Sequence, residues 1–273
     1  MQYDPIKEIL GNFFNKSVFL RTTFYRLLNL LLLRSWHIRR ALNAFFIQRQ
    51  NESDIRILDA GSGFGQYTWV IARKNRKWQI DSIDIKQGQI DECKLFFNKA
   101  GLLNADFQFG DLVQYKRADR YDLILSVDVM EHIENDLQVF KNFYDSLKLG
   151  GVLLISTPSD QGGSDVKHDH QSSFIDEHVR DGYAINDIAQ KLKSAGFKLV
   201  EAKYSYGTFG SISWRLSMKY PLVALGISKL FLVFLPLYYL LVFPFCLIMN
   251  YVDVIGSHKS GTGLIVRAVK TNN

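Results

Sequence analysis

Ile55-Arg56-Ile57-Leu58-Asp59-Ala60-Gly61-Ser62-Gly63-Phe64-Gly65-Gln66-Tyr67 is the stretch that decides how this chain folds. Apolar β-formers run into an acid, three alternate glycines follow, and a segment of helical character begins at Gln66. Glycine adopts positive φ without steric cost and lets backbone approach a ligand closely, and a helix N-terminus directs amide donors at it. A strand, a Gly-rich turn and a helix, with an acid about 20 residues further on, is the pattern of a nucleoside-binding α/β unit. Here that acid is Asp84, within the strand-like run Gln79–Ile85. A carboxylate at that point can accept hydrogen bonds from both hydroxyls of a ribose.

Two ligand classes compete for this pattern. A dinucleotide turn reads G-x-G-x-x-G, with its third glycine allowing the helix to pack closely on the strand. Gln66 stands at that third position, and the extra glycine comes one residue early at Gly65. Asp59 also precedes the first glycine, where its charge would repel a pyrophosphate but suits the ammonium of an amino acid. A nicotinamide-dependent oxidoreductase is therefore the disfavoured alternative.

The order apolar-apolar-Asp-x-Gly-x-Gly-x-Gly resembles motif I of the class I S-adenosylmethionine-dependent methyltransferases, and further landmarks follow in that family's order. Phe109-Gly110-Asp111 ends a short apolar run, and Tyr121–Asp128 reads as a buried fourth strand. Leu147–Pro158, with Gly150-Gly151 inside it, resembles the family's helix end, Gly-Gly turn and fifth strand. Ile188–Phe197 resembles its last helix, Lys198–Tyr206 a sixth strand, and Gly263–Val269 an antiparallel seventh. The resemblance covers residues 51–207 and 258–271. It implies an α/β fold: a Rossmann-like seven-stranded mixed sheet with helices on both faces, with S-adenosylmethionine as cofactor. Carried onto this chain, it puts Asp59, Gly61, Ser62, Gly63 and Gly65 around the methionine part. Asp84 falls at the ribose with Ile85 against adenine, Asp111 and Leu112 at the adenine amino group and ring, and Ser126 beneath the cofactor.

Asp128-Val129-Met130-Glu131-His132 is similar to the acid-x-x-Glu-His segment of O-methyltransferases acting on polyprenylated phenols, the ubiquinone and menaquinone type, although Asp replaces the family's first Glu. In some of those enzymes the segment holds a divalent metal, so Asp128, Glu131 and His132 could orient the acceptor, hold a metal or supply a base. Lys167-His168-Asp169-His170-Gln171 and Asp176-Glu177-His178 lie in a connection that borders the acceptor site in this fold. Their spacing matches no zinc motif. A neutral histidine can take a phenolic proton at neutral pH, which makes His170 and His178 candidates beside His132, with Tyr183 lining the site. A solvated polar loop is the competing reading.

The chain has 273 residues and a formal net charge of +6. Its basic residues are scattered, with no run of five and no nucleic-acid module, so nucleic acid is not the expected partner. A basic balance beside apolar segments fits an anionic membrane surface instead. Cys93 and Cys246 cannot build a disulfide framework, which points to a reducing compartment. No secretory signal is expected, because Asp4, Lys7 and Glu8 open the chain and Leu27–Leu33 is too short an apolar core.

Four regions are expected: a helical cap or interfacial region at 1–50, the cofactor-binding domain at 51–210, an apolar insertion at 211–257 and the last strand within 258–273. Residues 18–48 lack Gly and Pro, and Arg21, Arg26, Arg34, Arg39 and Arg40 alternate there with large apolar residues, as in an interfacial helix. Pro221–Met249 carries one charge, Lys229, and Leu230–Met249 is 20 uncharged residues, long enough to span a bilayer. If strands six and seven are neighbours, both flanks of the insertion lie on one side. That predicts a monotopic helix pair dipping into one leaflet or lying in the interface, bent at Pro236 and Pro244, with Tyr238 and Tyr239 reaching headgroups. A buried core helix is the alternative. The expected function is methyl transfer to oxygen of a small, lipid-like or membrane-carried acceptor, by a peripheral or monotopic enzyme on the cytoplasmic side of a membrane. A non-catalytic membrane-associated cofactor-binding protein is the alternative class.

Overall fold

The computed structural model describes residues 17–162 and 179–272. Seven strands form one sheet in the order β3-β2-β1-β4-β5-β7-β6. The strands are β1 (Arg56–Ala60), β2 (Gln79–Asp84), β3 (Ala105–Phe109), β4 (Tyr121–Val127), β5 (Leu147–Pro158), β6 (Leu199–Ser205) and β7 (Gly263–Val269). β1 to β5 pair in parallel, whereas β7 runs antiparallel between β5 and β6, with Ile155 opposite Val266 and Val266 opposite Ala202. The first six residues of β4 are buried, as expected for a central strand covered on both faces. Strand order reverses between β1 and β4, and a crevice at the carboxyl ends of strands at such a switch point is where open α/β sheets bind ligands.

Helices cover both faces. One face carries α1 (Val18–Leu31), α2 (Leu33–Gln48), α3 (Gln66–Lys74) and α4 (Gln87–Lys99), with Tyr25, Leu42, Trp78 and Phe97 in its core. The other carries α5 (Asp136–Ser146) and α6 (Ile185–Ser194), with Phe140, Phe143, Leu192 and Phe197. The N-terminal helices are built into the first face: Phe45 meets the Trp78 indole edge-on at 6.0 Å between centroids. Ser17 caps α1 by accepting from the Leu20 N–H at 3.1 Å, and extended backbone at Leu32 separates the two helices.

Between β6 and β7 the chain leaves the sheet and returns to it. The outgoing arm is α7 (Thr208–Trp214), a π-helical turn (Arg215–Lys219) and α8 (Tyr220–Ile227); the returning arm is α9 (Leu235–Ile255). α9 is long and apolar enough to cross a membrane, and 11% of its most apolar window is buried, so it is not a core helix within this chain. The reversal falls at Ser228–Phe234, where the Ser228 hydroxyl accepts from the Leu230 N–H at 3.2 Å, and not at the two prolines. Pro236 sits in the first turn of α9, where a missing N–H costs nothing, and Pro244 lies within the helix. Tyr238 and Tyr239 also do other work than expected. Their hydroxyls donate to the carbonyls of Leu216 at 2.7 Å and Ser217 at 2.8 Å, satisfying π-turn backbone and tying the arms together.

Candidate active site

The Gly-rich turn is shaped as its residue types demand. Gly61, Gly63 and Gly65 take φ of 81°, 51° and 73°. A Cβ on Gly61 would lie 2.2 Å from a Val129 methyl, so glycine is what lets the segment after β4 close over the turn. A Cβ on Gly65 would be 3.2 Å from Cys93, Phe97 and Phe107, so Gly65 allows the helix packing that a dinucleotide turn assigns to its third glycine. Gln66, used above to argue against such a turn, has a positive role. Its amide donates to Asn29 Oδ1 at 2.8 Å and Ser35 Oγ at 3.0 Å, fastening α3 to both N-terminal helices.

Asp84 is brought beside this turn. Its carboxylate accepts from the Gly63 N–H at 2.8 Å and the Lys86 N–H at 2.9 Å, and its backbone carbonyl accepts from the Gly110 N–H at 3.0 Å. Ile85, 62% exposed, follows it as an apolar side chain open to a ligand. Asp111 lies exposed on the next loop with its carboxylate accepting from the Val113 N–H at 2.9 Å, while Leu112 is buried. Ser62 and Ser126 are buried, and the hydroxyl of each lacks a hydrogen-bond partner among the described residues. Asp59 stands apart. It is 2% exposed beneath the turn, with Oδ2 accepting from the Thr68 hydroxyl at 2.5 Å. Burial pushes its carboxyl up to about 6 against the Thr68 hydrogen bond.

The turn is braced from α1 by two residues not foreseen as part of the site. Arg21, 2% exposed, donates to the carbonyls of Phe64 at 3.0 Å and Glu92 at 3.2 Å and to Tyr25 at 2.8 Å, and Tyr25 itself donates to the Phe64 carbonyl. Cys93 contacts the same guanidinium at 3.1 Å, and burial pushes its thiol up to about 12, well away from reactivity at neutral pH.

On the side after β4, Asp128 adopts φ of 53° and pairs with the Arg34 guanidinium from α2. The Arg34 backbone N–H donates to the Tyr206 hydroxyl at 3.0 Å, and Tyr206, at φ 55°, is where the chain leaves the sheet for the insertion. Burial alone would lower the Arg34 guanidinium, but the Asp128 carboxylate overrides this and keeps it charged. Arg34 Nε is buried without a hydrogen-bond partner among the described residues. Glu131 is 1% exposed and accepts from the Thr157 hydroxyl at 3.1 Å. Burial, then the Asp128 charge, holds its carboxyl well above the ordinary range. His132 is exposed on the same short turn.

Asp128 and Glu131 both have partners within the protein. Asp128 turns to Arg34 and Glu131 to Thr157, and among the described residues no group of three His, Cys, Asp or Glu side chains could hold a metal. His170 and His178 lie outside the described residues. Tyr183 does not line an open site: it is 1% exposed, and its hydroxyl bonds Asp136 at 2.7 Å and the Met130 carbonyl at 3.1 Å, propping up the turn behind Glu131.

The strand order and this site define a class I S-adenosylmethionine-dependent methyltransferase. A family model described as a methyltransferase domain matches residues 35–202, and the chain belongs to that family. Malonyl-(acyl-carrier protein) O-methyltransferase of Bacillus cereus is 28% identical over 111 residues, 40% of each chain. Ubiquinone biosynthesis O-methyltransferase of Rickettsia canadensis is 27% identical over 105 residues, 38% of this chain and 43% of that protein. The matched stretch thus spans less than half the length of these curated relatives. Among solved structures, phosphoethanolamine N-methyltransferase 2 of Haemonchus contortus with S-adenosyl-L-methionine superposes with a TM-score of 0.57 at 18% identity, covering 85% of this chain and 53% of that one. A (4+2)-cyclase, SpnF, gives 0.57 at 16%, covering 86% and 82%. These two establish the fold alone.

The residues present fit S-adenosylmethionine. Two buried hydroxyls lack partners among the described residues, Gly63 leaves its side of the turn open, with nothing nearer than 3.9 Å to an added Cβ, and the Asp84 carboxylate is oriented in advance by two amides.

Proposed function

We propose that this protein methylates an oxygen of a small hydrophobic acceptor carried in a membrane, from the cytoplasmic side, as a peripheral or monotopic enzyme. The observation that carries the reading is the connection from Asp128 through Arg34 to Tyr206, which joins the acceptor side of the site to the root of an exposed apolar hairpin. The root is fastened further by Asp253, 0% exposed, which bonds His37 at 2.8 Å and accepts from the backbone N–H of Tyr206 at 3.2 Å and Gly210 at 3.1 Å. A hairpin rooted there supports an acceptor side next to the apolar surface, from which a hydrophobic acceptor would enter without crossing water.

S-adenosylmethionine supplies a methyl group on a sulfonium, transferred by in-line displacement, so the protein's main task is to hold the two reactants in line. Asp84 and the Gly-rich turn orient the donor. Arg34, Asp128 and the neutral Glu131 carboxyl provide a fixed polar rim for the acceptor. The exposed His132 is positioned to accept the proton that an attacking hydroxyl gives up. Oxygen as the atom methylated draws support from the O-methyltransferases named above. Incubation with methyl-deuterated S-adenosylmethionine and a total membrane lipid extract tests the proposal. A mass shift is expected in an organic-phase compound, lost in Asp84→Ala. Label found only in water-soluble acceptors would overturn it.

A further inference from the structure

The arginines of the N-terminal helices do not share one face. Arg21 lies under the Gly-rich turn and Arg34 in the acceptor rim, whereas Arg26, Arg39 and Arg40 open onto a groove of about 960 Å³ between α1, α2, α3 and the carboxyl end of α9. Arg73 and Lys74 from α3 complete five cations, and among the described residues no acid lines the groove. Arg26, Arg39, Arg73 and Lys74 pair with no carboxylate among the described residues; Arg73 stacks 4.5 Å over Trp69, and Lys74 lies 5.8 Å from the Phe46 ring. Arg40 donates to the Val254 carbonyl and so fixes the groove to the root of α9.

Place in the fold gives this charge its meaning. At about 1.5 Å per residue, α9 runs roughly 30 Å from its root, where Tyr251 and Ile255 border the groove. Beyond the root the exposed residues are large and apolar, among them Leu222, Ile227, Phe231, Leu237, Leu241 and Phe245. From Gly207 to Val252 the only charges are Arg215, Lys219 and Lys229, with no acid. Trp36 and Tyr251 add amphipathic rings at the groove, of the kind that settle at headgroup level. An apolar projection with an acid-free cationic groove at its root is complementary to an anionic leaflet.

We propose that this groove binds the phosphate of an anionic phospholipid headgroup while the hairpin contacts the acyl region of the same leaflet. The inference rests on the membrane-contact reading above and adds lipid selectivity to it. Arg26 and Arg39 are the residues to change, since both are exposed and neither belongs to the cofactor site. The full-length protein is sedimented with vesicles of phosphatidylcholine alone and of phosphatidylcholine mixed with phosphatidylglycerol, at low and high salt. A basic residue at such a surface is worth about fivefold in partitioning, so Arg26→Gln/Arg39→Gln should bind the anionic vesicles about 25-fold more weakly. Arg26→Lys/Arg39→Lys should keep that binding, and raised salt should weaken the parent's. Binding of S-adenosylhomocysteine should be the same in parent and variants, which checks the fold. Equal binding of the parent to both vesicle types, or a Gln variant matching the parent, would overturn the groove while leaving hairpin insertion standing. No sedimentation with either vesicle would overturn both readings. Thermal stabilisation of the parent by inorganic phosphate alone, absent in the Gln variant, would replace the lipid by a free anion and overturn the proposal.

Discussion

Replacing Asp59 by asparagine should change the pH dependence of stability in a way that can be worked out beforehand. In the folded protein this carboxyl sits at about 6 against an ordinary 3.8, because burial outweighs its hydrogen bond from Thr68. Below pH 3.8 both folded and unfolded chains hold the proton and there is no penalty. As pH rises toward 6 the unfolded chain ionises first, and the folded state loses stability at about 1.4 kcal/mol per pH unit. Above 6 the loss is complete, at about 3 kcal/mol. Asparagine keeps an oxygen to accept from Thr68 and cannot ionise. The offset between the two proteins depends on how its amide donors are accommodated, but the slope does not. Urea unfolding of the cofactor-free parent and Asp59→Asn from pH 4 to 8 should give a stability difference that moves in the variant's favour up to about pH 6 and is flat beyond. A difference constant across that range would show that Asp59 ionises normally in the folded state, and the account of its burial would fail.

Other outcomes follow from the site. Asp84→Ala should weaken S-adenosylhomocysteine binding by about 2–3 kcal/mol in calorimetry, through loss of charge-assisted hydrogen bonds; unchanged affinity would remove Asp84 from the ribose site. Tyr25→Phe, which deletes the hydroxyl bracing Phe64, should cost about 1 kcal/mol in denaturant unfolding and loosen the cofactor turn, and equal stability would refute the brace. His132→Ala should lower turnover with cofactor affinity within a few-fold, and chelator should leave the parent's activity intact; chelator inhibition would restore a metal at Asp128, Glu131 and His132. In Arg34→Met the loss of a cation that favours Glu131 ionisation should shift the alkaline limb of the pH–rate profile, where the neutral Glu131 carboxyl is lost, to higher pH, and an unmoved limb would separate Arg34 from Glu131.

The parts of the fold legible in the sequence are those whose chemistry is local. Asp59, the alternate glycines and Gln66 fix a strand, a turn and a helix within a dozen residues, and Asp84 follows where one crossover must end. The side after β4, proposed above to face the acceptor, was not legible for the opposite reason. Arg34 meets Asp128 across 94 positions and His37 meets Asp253 across 216, and no periodicity encodes pairings between segments so far apart in the chain. The hairpin shows a subtler miss. Proline breaks helix interiors and so reads as the bend, yet a short polar break at Ser228 suffices to turn the chain, and Pro236 then starts the next helix.

Helical spacing made one amphipathic stripe of Arg21, Arg26, Arg34, Arg39 and Arg40, and the fold divides it by depth. Arg21 is 2% exposed and can persist buried because three carbonyl or hydroxyl oxygens and a sulfur surround it. Arg34 is half-buried and is stabilised by one carboxylate, so its loss leaves a charge on Asp128 unanswered. Arg26 and Arg39 face solvent with no acid against them among the described residues, beside 21 residues of largely apolar helix. In the proposed reading the same residue type serves cofactor, acceptor and membrane in turn. The three uses separate by assay: stability and cofactor affinity for Arg21, pH–rate behaviour for Arg34, vesicle partitioning for Arg26 and Arg39.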